Sequence, residues 1–163
     1  MEQITHKDVL DTFDFSDGNL IWKKKTGPRS KIGHVAGHLR KDGYVQIKFQ
    51  HKLYAAHRLI WFLIYGEWPK NEVDHIDGNK SNNRLENLRD VTKSQNQQNR
   101  LKTKQNSTGF KGVFFHPKSN KWMSKITVNK KQIYLGYFHS ALDAHNAYSE
   151  AAKKLHGEFS RTI

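Results

Sequence analysis

The run VDHIDGNKSNNRLENLRDVTKSQN, Val73 to Asn96, leaves the chain few ways to fold. Val73–Ile76 reads as a short strand, Asp77-Gly78-Asn79 as a tight turn, and Leu88–Val91 as a second strand. Thr92 followed three residues later by Gln95 is a capping-box pattern, and it opens a helix that carries Asn96 in its first turns. Strand, loop, strand and helix in this order can bring Asp74, His75 and Asn96 to one place. A neutral imidazole takes a proton from water near pH 7. A carboxylate and an amide oxygen are hard ligands suited to a Mg²⁺-like ion. In a chain of net charge +13, base and metal side by side point to hydrolysis of a polyanion's phosphodiester.

With 163 residues, the chain can bury roughly 70% of its unfolded surface, so it needs no disulfide to fold. Its length allows one or two domains. The absence of cysteine excludes a thiolate zinc site and a disulfide scaffold, and suits a reducing cytoplasm. The longest apolar-rich stretch, Leu59–Tyr65, falls far short of the ~20 residues of a membrane span. MEQITHKDVL lacks the basic start and apolar core of a signal peptide. A cytoplasmic protein without membrane association is therefore expected. Charge is uneven: from Leu101 onward eleven Lys and Arg stand against three Asp and Glu, a balance of +8, while the first hundred residues carry +5. A basic tail with aromatics on strand patterns is an electrostatic footprint for nucleic acid. Charge alone also suits a basic protein with no polyanionic partner.

Residues 1–52 read as short strands and turns, the β-rich start of the first module. Phe13–Phe15 and Leu20–Trp22 flank the turn Ser16–Asn19, and Tyr44–Phe49 alternates with period two. Residues 53–100 form the module's core, opening with a helix from Ala55 to Tyr65 that Gly66-Glu67-Trp68-Pro69 ends. Residues 101–108, polar and without period, read as a linker. In 109–163 three strands, Gly112–Phe115, Trp122–Val128 and Gln132–Phe138, precede a helix from about Ala141 to His156. Ser140 is its N-cap and Gly157 its stop. Ala144, Ala147, Tyr148, Ala151 and Leu155 recur at helical spacing, and this stripe is expected to be core. The fold class is α+β: a β-rich start, a ββα core, and a three-stranded antiparallel sheet packed on one helix.

Around Tyr54–Asn99 the sequence resembles the HNH (His-Me finger, ββα-metal) nucleases, most closely the phage homing endonucleases. The strings Ala56-His57-Arg58-Leu59-Ile60-Trp61, Val73-Asp74-His75-Ile76-Asp77-Gly78-Asn79 and Asn82-Asn83-Arg84-Leu85-Glu86-Asn87-Leu88-Arg89 carry the resemblance, with the late Asn96. It implies that His75 is the general base and that Asp74 and Asn96 bind one divalent ion per active site. It also implies that Asn87 ties the loop and orients the imidazole. Asn96, where other branches carry a second His, favours oxygen-ligated Mg²⁺ or Mn²⁺ over Zn²⁺. Asp77, Asn79, Asn82 and Asn83 are read as loop builders, His57 with Arg58 as a helix anchor, and Arg84 and Arg89 as phosphate contacts.

The C-terminal segment resembles the AP-two/ERF DNA-binding domains. Phe110-Lys111-Gly112-Val113, Lys121-Trp122, Tyr134-Leu135-Gly136-Tyr137-Phe138 and Ala144 through Ala152 ending at Gly157 carry the likeness. In that family the sheet lies in the major groove. The resemblance implies DNA contacts at Lys111, Trp122, Lys125 and Tyr134. Phe114, His116 and Thr127 stand where plant domains carry Arg, which favours contacts through Lys118, Lys121 and Lys125. The small sheet could instead contact protein.

Together these features imply a metal-dependent DNA endonuclease of the phage homing type. Its partner is double-stranded DNA, its setting is a phage-infected bacterial host, and no obligate protein partner is evident. A non-catalytic sequence-specific DNA-binding protein on a vestigial nuclease fold is the main alternative; a non-specific nuclease is another.

Overall fold

The computed structural model describes residues 4–99 and 108–160, so most of the expected linker at 101–108 lies outside the described residues. The chain divides into two compact units, 1–91 and 92–163. Mixed helix and strand make it an α+β protein, as the sequence patterns indicate.

The first unit opens with a helix that the strand-and-turn reading of 1–52 omits. This is α1, His6–Leu10, and Thr5 caps it. The Asp8 N–H donates to Thr5 Oγ1 while the Thr5 N–H donates to the Asp8 carboxylate, a reciprocal cap that makes a five-residue helix viable. The hairpin β1 (Phe13–Ser16) and β2 (Asn19–Trp22) follows, with Phe13 opposite Trp22. Strands β3 (His38–Leu39), β4 (Val45–Phe49) and β5 (Lys52–Ala55) form an antiparallel sheet in chain order.

Helix α2, Ala56–Tyr65, buries Ala56, Leu59, Ile60, Phe62 and Leu63 at helical spacing. Gly66, at φ 75° in the left-handed region, closes it by donating its N–H to the Phe62 carbonyl. Leu59, Ile60 and Ile47 are fully buried and form the middle of one core with Phe13, Leu20 and Val9. Leu59→Ala would cost about 2–5 kcal/mol. Two strands, β6 (Glu72–His75) and β7 (Leu88–Val91), pair antiparallel and place Asp74 opposite Arg89. Ile76 lies beyond β6, exposed.

In the second unit α3 (Lys93–Asn99) starts at the expected capping box, with the Gln95 N–H on Thr92 Oγ1 and the Thr92 N–H on Gln95 Oε1. Strands β8 (Val113–His116), β9 (Lys121–Val128) and β10 (Lys131–Phe138) form an antiparallel sheet with β9 in the middle. Helix α4, Ala141–His156, packs on it, capped by Ser140 through the Asp143 N–H. Its buried face is Ala144, Tyr148, Ala152 and His156; Leu155, expected in the core, is 43% exposed. Gly112 has φ +74°, and a Cβ there would collide with the Tyr148 ring, so only glycine lets strand and helix approach this closely.

Candidate active site and DNA-binding sheet

Asp74 and His75 end β6, and both are buried, at 7% and 3% exposure. The two side chains point to opposite faces of the hairpin, as adjacent strand residues must. Asp74 meets its cross-strand partner: Arg89 donates Nε and Nη2 to Asp74 Oδ2 at 3.1 and 3.0 Å. Arg89, expected on phosphate, is therefore turned inward onto the carboxylate. Arg84 is likewise paired, with Asp17 at 2.8 Å, although both side chains are exposed.

The His75 imidazole is held by Asn83, 3.0 Å from Nε2 to Oδ1. That contact assigns Nε2–H as the donor and the amide oxygen as acceptor. Asn83 is itself buried, at 3% exposure. The Asn87 side chain bonds within the loop. Its Nδ2 donates to Asp77 Oδ1 and to the Asn82 carbonyl, and its Oδ1 accepts the Asp77 N–H. It ties the loop, and the Asn83 side chain bonds the imidazole. The reason is position: Asn87 sits in a one-turn 3₁₀ helix facing the Asp77 turn. Burial would raise the Asp77 carboxyl, but hydrogen bonds from Asn82, the Asn79 N–H and Asn87 outweigh it and hold it below the ordinary aspartate range. The loop is thus closed on its own amides.

His57, in the first turn of α2, meets His75 edge to face with ring centroids 5.0 Å apart, and Tyr44 lies 5.4 Å from His57. Burial, the neighbouring His75 and the Arg58 charge push His57 down to about 3, so it is neutral at working pH. Its Nδ1 is buried with no hydrogen-bond partner among the described residues. Lys80 joins the loop to the preceding turn, donating to the Asp42 carbonyl and lying over the Tyr44 ring.

Asp74 precedes His75 in the strand, and a carboxylate is the kind of oxygen ligand that suits a hard divalent cation. Among the described residues no cluster of three His, Cys, Asp or Glu could hold a metal. Asn96 sits on α3 in the second unit.

In the second unit, alternation along β9 puts Lys121, Met123, Lys125 and Thr127 on the open face of the sheet, and Trp122, Ser124 and Ile126 on the face that α4 covers. Trp122 packs edge-on against Phe115, 5.1 Å away. The DNA contact expected of it would have to come from the covered side. Lys121, Lys125 and Tyr134 do share the open face, with Phe114, His116, Gln132 and Tyr137 beside them. Lys118 is exposed in the turn after β8. Lys111, Lys125, Lys130 and Lys93 line one concavity of about 880 Å³, and none of the described residues in its wall is acidic.

A buried Asp-His pair on a hairpin in one unit, and a basic sheet backed by one helix in the other, agree with an HNH endonuclease domain and an AP2 domain. Residues 54–98 match the HNH endonuclease model and residues 108–158 the AP2 domain model. Protein 3.8 of Escherichia phage T7 is 32% identical over 108 residues, 64% of this chain and 87% of that protein. The ethylene-responsive transcription factor RAP2-11 of Arabidopsis thaliana is 43% identical over 68 residues, 40% of this chain but only 26% of that factor. No solved structure matches the chain. The chain belongs to the HNH endonuclease family, in the group that includes the T7 protein, and carries an AP2 domain at its C-terminal end. No helix among the described residues is long and apolar enough to cross a membrane.

Proposed function

We propose that this protein is a metal-dependent DNA endonuclease of the phage homing type, acting on double-stranded DNA inside an infected bacterium. The observation that carries the reading is the buried His75 imidazole, locked by Asn83 and next in the strand to the buried Asp74. His75 would take the proton from the attacking water, with its ring held in place by Asn83. General-base help of this kind contributes about 10²–10⁴ in rate. Asp74 and Asn96 would hold a Mg²⁺ or Mn²⁺ ion, which when bound supplies charge relief at the phosphate and the leaving 3′ oxygen. His57, neutral beside His75, adds no competing positive charge. Asn87 keeps the loop closed and so keeps Asn83 in reach of the imidazole.

Residues 1–100 form the nuclease module and 109–163 the targeting domain. Lys111, Lys118, Lys121, Lys125 and Tyr134 supply DNA contacts, the lysines chiefly to phosphate. Arg84 and Arg89 reach phosphate only if they leave Asp17 and Asp74.

Incubating the protein with phage genomic DNA and Mg²⁺ or Mn²⁺, then mapping the ends, tests the reading. Discrete new ends that vanish with His75→Ala support it. Tight binding without cutting in either metal would select the vestigial-nuclease alternative.

A further inference from the structure

The open face of the β8–β10 sheet is apolar at its centre. Phe114, Met123 and Tyr137 stand in one cross-strand row, and Phe114 and Tyr137 are 44% and 52% exposed. Tyr134, 65% exposed, flanks the row. Tyr134 and Tyr137 differ in parity along β10, so an unbroken strand would send them to opposite faces. A bulge at Leu135 shifts the register between Tyr134 and Gly136, turns Leu135 toward α4, and leaves both tyrosines on the open side. Two further contacts confirm the shared face: His116 lies edge-on to Tyr137, and the Lys125 ammonium sits over Phe114 while bonding Gln132 Oε1.

Between 101 and 160 the chain has no arginine. Guanine is read in the major groove by Arg or Lys, adenine by the amide of Asn or Gln, and thymine by apolar contact with its methyl group; on this face Lys125 is already engaged, over Phe114 and on Gln132. The face offers rings, a thioether and one amide. Its lysines suit phosphate.

From this distribution we propose that the open sheet face selects A·T-rich duplex DNA, packing Phe114, Met123 and Tyr137 on thymine methyl groups while Gln132 bonds adenine. The proposal rests on the reading that this domain binds DNA, and specifies what it prefers. Gln132 pivots from Lys125, and the ammonium is released to the backbone.

The test is fluorescence anisotropy of the full chain, in EDTA to prevent cutting, with labelled duplexes of equal length. One has an A·T core, one a G·C core, and one the A·T core with deoxyuridine replacing thymine. We expect the A·T duplex to bind at least tenfold tighter than the G·C duplex. Removing each contacted methyl should weaken binding about fourfold, the equivalent of ~0.8 kcal/mol. Phe114→Ala and Tyr137→Ala, both at exposed positions, should shrink the uracil effect and keep the wild-type circular dichroism spectrum. Equal affinity for the A·T and G·C duplexes, or indifference to uracil, overturns the proposal but leaves DNA binding intact. Tighter binding to the single strands than to any duplex overturns it in favour of a stacking platform. Failure to bind any of them overturns the DNA-binding reading itself.

Discussion

Arg89 faces Asp74 across the β6–β7 hairpin and gives two N–H groups to a single carboxylate oxygen. With side chains only 15% and 8% exposed, this pair is one whose loss strands a buried charge. Removing one partner of such a pair costs about 3–5 kcal/mol. Arg89→Ala should therefore lower stability in urea melts by ~3–5 kcal/mol. If Asp74 binds a divalent ion, Mg²⁺ should restore part of that loss in the variant. A variant as stable as wild type would show the pair to be idle.

His75→Ala should lower cleavage by about 10²-fold or more while DNA affinity stays within a few-fold. Asn83→Ala should act through His75, lowering kcat by about tenfold or more with a smaller change in KM. Near-normal cutting by His75→Ala at pH 8 would remove His75 from the base role.

EDTA should abolish cleavage, and Mg²⁺ or Mn²⁺ should restore it. Asp74→Ala and Asn96→Ala should each raise the metal concentration needed, since each removes one of very few protein ligands. Calorimetric titration of metal into the DNA-free protein reads the same loss independently of activity. Undiminished cutting in chelator would refute metal dependence.

His57 titrates at about 3 in the folded chain, against 6.5 for an unperturbed histidine. A depressed histidine binds fewer protons folded than unfolded, so stability rises with pH through this window. The contribution is fully present above 6.5 and is lost as pH falls toward 3. His57→Phe keeps a ring against His75 but cannot take a proton. Its stability should fall less steeply than wild type over that range in thermal melts at stepped pH. Parallel curves would mean that His57 is not buried neutral.

Truncation near Lys104 should leave a folded nuclease unit that has lost affinity for its preferred DNA. The +8 balance beyond Leu101 predicts a shallower log K against log[salt] line, each lost phosphate contact removing about 0.9 from the slope. Lys125→Ala should do the same on a smaller scale. Unchanged affinity, slope and cleavage pattern would show that the sheet domain does not target the enzyme.

Elements long enough to show a period are legible in the sequence: α2, β9, β10 and α4 all stand where alternation or helical spacing puts them. α1 is too short for a period, and its one sign is the Thr5–Asp8 cap. Along α4 the pattern misleads by one position. Leu155 looks like core, yet Ala152 and His156 are the residues buried, His156 by donating Nε2–H to the Thr127 carbonyl. A hydropathy pattern gives no reason to bury a histidine, because the compensating acceptor lies 29 residues away in the chain. The Asp-His pair is visible as a motif, but Asn83 is not. Its meeting with His75 depends on a loop closed by Asp77, Asn82 and Asn87, a set of amide contacts that spacing alone does not encode. Trp122 goes astray for a simpler reason: one residue of strand phase decides its face, and buried Ser124 sets that phase.

The four tryptophans are shared unequally: Trp22, Trp61 and Trp68 belong to the first unit and Trp122 alone to the second. Trp68 is stacked on Phe62, with ring centroids 4.4 Å apart, and on Tyr54 at 5.9 Å, whereas Trp122 touches Phe115 edge-on. The sheet domain therefore carries its own single tryptophan. Trp122→Phe silences that emission and leaves the first unit's signal, so the difference between the two proteins isolates the tryptophan spectrum of the sheet domain. Unfolding of the two units, and quenching as DNA reaches one of them, become separable optical events without any added label.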